Sequence, residues 1–163
     1  MDQMTMIALG KAGAFSAVAF AAIGSGLGAG VAGTSAVGAW KKCYSQNRQA
    51  PFQLAVFSGA PLSQTIYGLI LMILINNKIQ AGAEMYWATF LMIGIAGGSA
   101  MGVSAWLQGV AAAGSCDAFA ETEKGFTNDL LVLGIIETVA LFVMVFAIVL
   151  INTITVAAPA LPS

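Results

Sequence analysis

Residues 130–153 read LLVLGIIETVALFVMVFAIVLINT, an apolar run carrying a single charge, Glu137. About 20 apolar residues cross a bilayer as a helix, so this stretch is long enough to span one. Three similar stretches precede it. Ala12 to Trp40 and Gln49 to Asn77 each run 29 residues without a charge, and Met85 to Cys116 runs 32. Each leaves a turn or two to spare. The chain is therefore expected to be an all-α integral membrane protein of four transmembrane helices, at 11–41, 52–76, 85–115 and 128–153.

Composition agrees. The 163 residues include six basic and seven acidic ones, no His, and 59% apolar residues. A soluble domain of this length would carry about a quarter charged residues, or ~40. So few charges cannot tile a surface facing water. A soluble globule and a disordered tail are excluded. So is a nucleic-acid binder, because phosphates demand a basic face. The lack of His removes the commonest metal ligand and the usual proton shuttle at neutral pH. A secretory signal fits the N-terminus poorly: Asp2 precedes Lys11, and the apolar stretch is about twice a signal's length.

The polar stretches 42–51 (KCYSQNRQAP) and 116–127 (CDAFAETEKGFT) are short enough to close antiparallel hairpins, and Asn76 to Glu84 is shorter still. Two fused hairpins follow, 1–79 and 80–163, the second holding Glu137. Both run the same way, as parallel repeats do. Connections one and three, together with the adjoining Lys41, carry four Lys and Arg, against two (Lys11 and Lys78) opposite. That asymmetry places loops 42–51 and 116–127 in the cytoplasm and both termini on the other side. Cys43 and Cys116 would then lie reduced at the cytoplasmic face, as small soft residues near helix ends.

Helix one contains the steps Gly24/Gly28 and Gly26/Gly30, and helix three contains Gly94/Gly98/Gly102. In lipid, small faces let helix backbones approach closely. Helices one and three are thus expected to form a close-packed inner layer, with the bulkier helices two and four facing outward, as a ring of hairpins needs. Gly28-Ala-Gly30-Val-Ala-Gly33 also matches G-x-G-x-x-G, but no strand precedes it and it lies inside an uncharged run. A dinucleotide site is not expected there.

Glu137 stands seven residues past Leu130, ~10 Å into the fourth span at 1.5 Å per residue. An acidic side chain at such depth costs at least ~2.5–3.5 kcal/mol. Other oxygens in the spans could offset that cost. Pro61 has no N–H, which frees the Phe57 carbonyl and lets a kink turn carbonyls such as that of Ala60 toward a ligand. Ser63 and Gln64 adjoin the kink, and Tyr67 follows one turn on, on the same face. Gln108 is the strongly polar group deep in helix three. One carboxylate, two amide oxygens, a hydroxyl and a carbonyl suit a hard monovalent cation. Calcium or magnesium would recruit more carboxylates, and zinc would want His or Cys.

The string Pro61-Leu-Ser63-Gln64-Thr-Ile-Tyr67-Gly68, with Leu107-Gln108-Gly109 and Ile136-Glu137-Thr138, resembles the rotor-ring proteolipid of V-type (V/A-type) rotary ATPases, often called the K or c subunit, in its bacterial sodium-binding version. The resemblance covers essentially the whole chain. It implies one Na+ per protomer, held by Glu137, Gln64, Gln108, Ser63 and the carbonyl of Ala60, with Tyr67 bonding the carboxylate and Pro61 supporting the turn. Ser63 stands where Thr is familiar, and Val139 where an aromatic can occur. It implies a non-catalytic subunit that assembles with identical copies in a prokaryotic plasma membrane, surrounded by lipid. A stator membrane subunit would supply an Arg, and a central-stalk connector would dock on the cytoplasmic loops. The same rotor role coupled to H+ is the alternative. A stand-alone cation transporter using Glu137 is another, and it would predict aromatic residues around the carboxylate.

Overall fold

The computed structural model describes residues 1–155, and among them the chain forms four long helices and no strand. They are α1 (Gln3–Ser45), α2 (Gln53–Gln80), α3 (Glu84–Thr122) and α4 (Phe126–Thr153), each long and apolar enough to cross a membrane. Positions 156–163 of the expected second hairpin lie outside the described residues.

The helices outrun their expected bounds. α1 begins at Gln3 rather than near 11, α2 ends at Gln80 rather than near 76, and α3 continues to Thr122 rather than stopping near 115. Charges at the end of an apolar run mark the edge of the membrane, not the end of a helix. Lys11, Lys42, Asp117 and Glu121 all sit exposed on helical turns that continue past the apolar runs, and long charged side chains there can keep their heads solvated. The third connection is accordingly 123–125, with Glu123 (φ 55°) and Gly125 (φ 88°) in the left-handed region that a tight reversal requires. Cys43 and Cys116 are free, as expected, and both are buried, Cys43 two residues before the end of α1 and Cys116 six before the end of α3.

The connections sort into two ends. Lys42 pairs with Glu121, and Arg48 Nη2 lies 3.4 Å from Glu123 Oε1 and donates to the Ala120 carbonyl at 2.8 Å. Connections one and three therefore meet. At the far end Gln3 Nε2 donates to Glu84 Oε1 at 2.6 Å, and Lys78 Nζ to the Ile154 carbonyl at 2.8 Å. These contacts bring the N-terminus, connection two and the end of α4 together.

α1 and α3 form the close seam. A methyl group on Gly24 would fall inside contact distance of the Gly102 backbone, and one on Gly109 would collide with Gly28. Only glycine allows that approach, and the two main chains touch where larger residues would hold them apart. Gly26, Gly30 and Gly33 instead face open space, so the expected Gly26/Gly30 step is not part of this seam. α1 also packs antiparallel on α2, with Gly10 against Ile79, Ala21 against Gly68 and Gly28 against Pro61. α4 buries a thin strip, Leu133, Ala140 and Ile151, and turns Leu131, Ile135, Val139, Phe142 and Phe146 outward.

The interior is divided. One apolar cluster gathers Ala14, Leu71, Ile75, Phe90, Met101 and Ala140 toward the end that holds the N-terminus. A second gathers Ala36, Cys43, Leu54, Phe57, Cys116 and Phe119 toward the opposite end, where Phe57 and Phe126 have ring centroids 5.2 Å apart. Ser25, Gln64, Ser104 and Gln108, all buried, occupy the layer between the clusters.

Candidate functional site

Pro61 shapes the site from the backbone outward. α2 is α-helical over Gln53–Gly59, tightens to a 3₁₀ turn at Ala60–Leu62, and resumes as α-helix over Ser63–Gln80. The Phe57 carbonyl, expected to be orphaned by the proline, accepts from the Ala60 N–H instead. A 3₁₀ turn shortens the bond by one residue and recovers the acceptor. The turn leaves the Ala60 carbonyl 3.3 Å from Ser63 Oγ, which also lies 3.1 Å from Gln64 Oε1.

From there the polar side chains link up. Gln64 is fully buried, and its Nε2 donates to Gln108 Oε1 at 2.8 Å. Gln108, equally buried, donates through its own Nε2 to the Leu133 carbonyl at 3.0 Å and to Glu137 Oε2 at 3.3 Å. Tyr67 Oη donates to the other carboxylate oxygen, Glu137 Oε1, at 2.6 Å. Glu137 is half-buried. α4 begins at Phe126, so the carboxylate stands ~16 Å along the helix at 1.5 Å per residue, and ~10 Å past the start of the apolar run at Leu130. The residues singled out from the sequence thus form one connected group. Ser63, Gln64 and Tyr67 come from α2, Gln108 from α3 and Glu137 from α4, while Pro61 lies against α1 and the Ala60 carbonyl caps the group.

Two side chains of this layer escape the sequence reading. Ser104 Oγ donates to the Ile136 carbonyl at 2.9 Å and ties α3 to α4 one residue before the carboxylate. Its spacing four residues before Gln108, on one helical face, was the available signal. Ser25, on α1, is 2% exposed and its hydroxyl has no hydrogen-bond partner among the described residues.

The donor set is all oxygen with one negative charge. No group of three or more His, Cys, Asp or Glu side chains that could hold a metal occurs among the described residues. A monovalent cation would bring the site to neutrality, whereas a divalent ion would leave an uncompensated charge in an apolar surround.

The half of the site on α3 and α4 also carries the kinship. Residues 91–150, which include Gln108 and Glu137, match the family of the ATP synthase C subunit. The chain is thus similar to that family over 60 of its 163 residues. It is also similar to the A-type ATP synthase subunit K of Methanocaldococcus jannaschii, 34% identical over 145 residues that make up 87% of this chain and 61% of the relative. The chain spans about three fifths of that relative's length. The first hairpin contributes Ser63, Gln64 and Tyr67, and the second contributes the carboxylate and its amide partner.

Proposed function

We propose that this chain is a non-catalytic rotor-ring proteolipid of a V/A-type ATPase or ATP synthase, carrying one Na+ per protomer at Glu137. The observation that carries the reading is the connected oxygen group around Glu137, the carboxylate within the apolar run of α4, lying between two apolar clusters. Glu137, Gln64, Gln108, Ser63 and the Ala60 carbonyl would hold the ion as cargo, with Tyr67 fixing the carboxylate. Na+ and one carboxylate sum to zero charge, so a loaded protomer can turn through lipid without exposing a bare ion. At the stator's membrane subunit an Arg would attract Glu137, open the site and release the ion into a half-channel. Identical copies would close the ring, with the connections at 46–52 and 123–125 meeting the central-stalk connector on the cytoplasmic side. The setting would be a prokaryotic plasma membrane.

Proton coupling is the competing reading, because the same carboxylate can carry H+. Two buried amides and a hydroxyl favour Na+, since a proton needs no coordination shell. Carbodiimide labelling of the assembled ring separates the two, since the reagent attacks protonated carboxyls. Modification is expected at Glu137 and should be suppressed by Na+ at fixed pH. Labelling that persists at high Na+ would hand the site to H+. Migration of the detergent-solubilised protein as a small monomer would remove the ring.

A further inference from the structure

We propose that Ser25 is a positioning residue of the cation site, whose hydroxyl oxygen accepts the Gln64 amide N–H when the site is loaded. The inference rests on the sodium reading above.

Register places Ser25 opposite Gln64. Across the antiparallel α1–α2 seam, Gly68 lies against Ala17, Val18 and Ala21, while Gly10 faces Ile79 and Gly28 faces Pro61, a register that pairs Ala21 with Gly68. Ser25 is four residues past Ala21, and Gln64 is four before Gly68. Ser25 is likewise three before Gly28, and Gln64 is three after Pro61. Of the strip Pro61, Gln64 and Gly68, only Gln64 bears a polar side chain.

The hydroxyl itself is unusual. Ser16, Ser58 and Ser115 each donate back to the carbonyl four residues earlier, the ordinary resting place for a helical serine. Ser25 makes no such bond, although it is 2% exposed. Buried hydroxyls without partners are rare and call for an explanation.

Loading the site supplies one. Gln64 Nε2 donates to Gln108 Oε1, yet that oxygen is among those the cation needs. Once Gln108 Oε1 turns to the ion, Gln108 keeps the Leu133 carbonyl for its own N–H. The Gln64 N–H loses its acceptor in a fully buried place. Ser25 Oγ, with both lone pairs free, lies across the seam to receive it. The hydroxyl would hold the Gln64 amide with its oxygen facing the cation.

The test compares rings of the native chain, Ser25→Ala, Gln64→Ala and the double variant, reading the Na+ concentration that half-protects Glu137 from carbodiimide. Ser25→Ala should raise that concentration about tenfold, the size expected when a buried donor is left unmade. Its labelling rate without Na+, and the pH dependence of that rate, should not change, since Ser25 does not touch Glu137. In the Gln64→Ala background the serine change should add nothing. Ser25→Thr, which keeps the oxygen, should stay within about threefold of the native chain. The proposal falls if Ser25→Ala protects within twofold of native, or if its effect persists undiminished without Gln64. A ring of the native chain that Na+ does not protect would sink the sodium reading and this inference together. Protection of the native chain with no serine effect would sink this inference alone.

Discussion

Glu137 holds two donors of different kinds. Tyr67 Oη reaches one carboxylate oxygen at 2.6 Å, and Gln108 Nε2 reaches the other at 3.3 Å. The phenol donates its one O–H to that oxygen alone, whereas Gln108 also touches Gln64 and the Leu133 carbonyl. The two residues should therefore differ when removed. Tyr67→Phe deletes one hydrogen bond to a charged group, about 1.5–3 kcal/mol. It should raise the half-protecting Na+ concentration roughly tenfold. Gln108→Ala removes an ion ligand and strands a buried amide on Gln64, so its shift should be the larger. Na+ titrations of carbodiimide protection rank the two, and an equal or reversed order would contradict this network. Glu137, Gln64 and Gln108 were legible in the sequence because strongly polar side chains are expensive in lipid and stand out. Ser25 and Ser104 were not, because serine is common in membrane helices and only packing reveals which hydroxyls are enclosed.

α2 is the element whose irregularity matters most. Its proline was readable, but the expected result, a freed Phe57 carbonyl, was not what forms. The 3₁₀ turn at Ala60–Leu62 recovers that carbonyl and still brings the Ala60 oxygen and Ser63 Oγ together. Pro61→Ala restores an N–H and lets the segment relax toward regular α-helix. Thermal stability of the ring should hold or rise, while the half-protecting Na+ concentration increases severalfold as Ser63 and Gln64 rotate away. Unchanged protection would mean that the turn does not position the ligands. The glycine-rich elements teach a related lesson. Gly24 and Gly28 were correctly tied to close packing, but Gly26 and Gly30 show the same spacing and face open space. A GxxxG step shows that a helix has a small face, not which neighbour meets it.

At the scale of the whole molecule, connections one and three share one end through the Lys42–Glu121 and Arg48–Glu123 pairs. Both pairs are exposed, so they mark proximity more than they stabilise. Four Lys and Arg lie at that end against two at the other, and the excess predicts a cytoplasmic placement for it. Cysteines introduced at Asn47 and Lys124 should react with an impermeant maleimide only from the cytoplasmic side, and one at Asp2 only from the opposite side. Labelling of all three from one side would overturn the four-span topology. The native Cys43 and Cys116, both buried, should stay unlabelled in the folded protein.

The sequence by itself determined four spans, one carboxylate deep within the apolar run of the last, and a proline-led group of oxygens in the second. Those readings follow from local chemistry: hydropathy over a helix length, the cost of charge in lipid and the missing N–H of proline. The tertiary structure decided how far the helices extend beyond the apolar runs, which glycines meet, and that a polar layer lies between two apolar clusters. Hydropathy could not decide these, because lipid and protein interior are both apolar and a membrane helix carries no mark of which face turns to which.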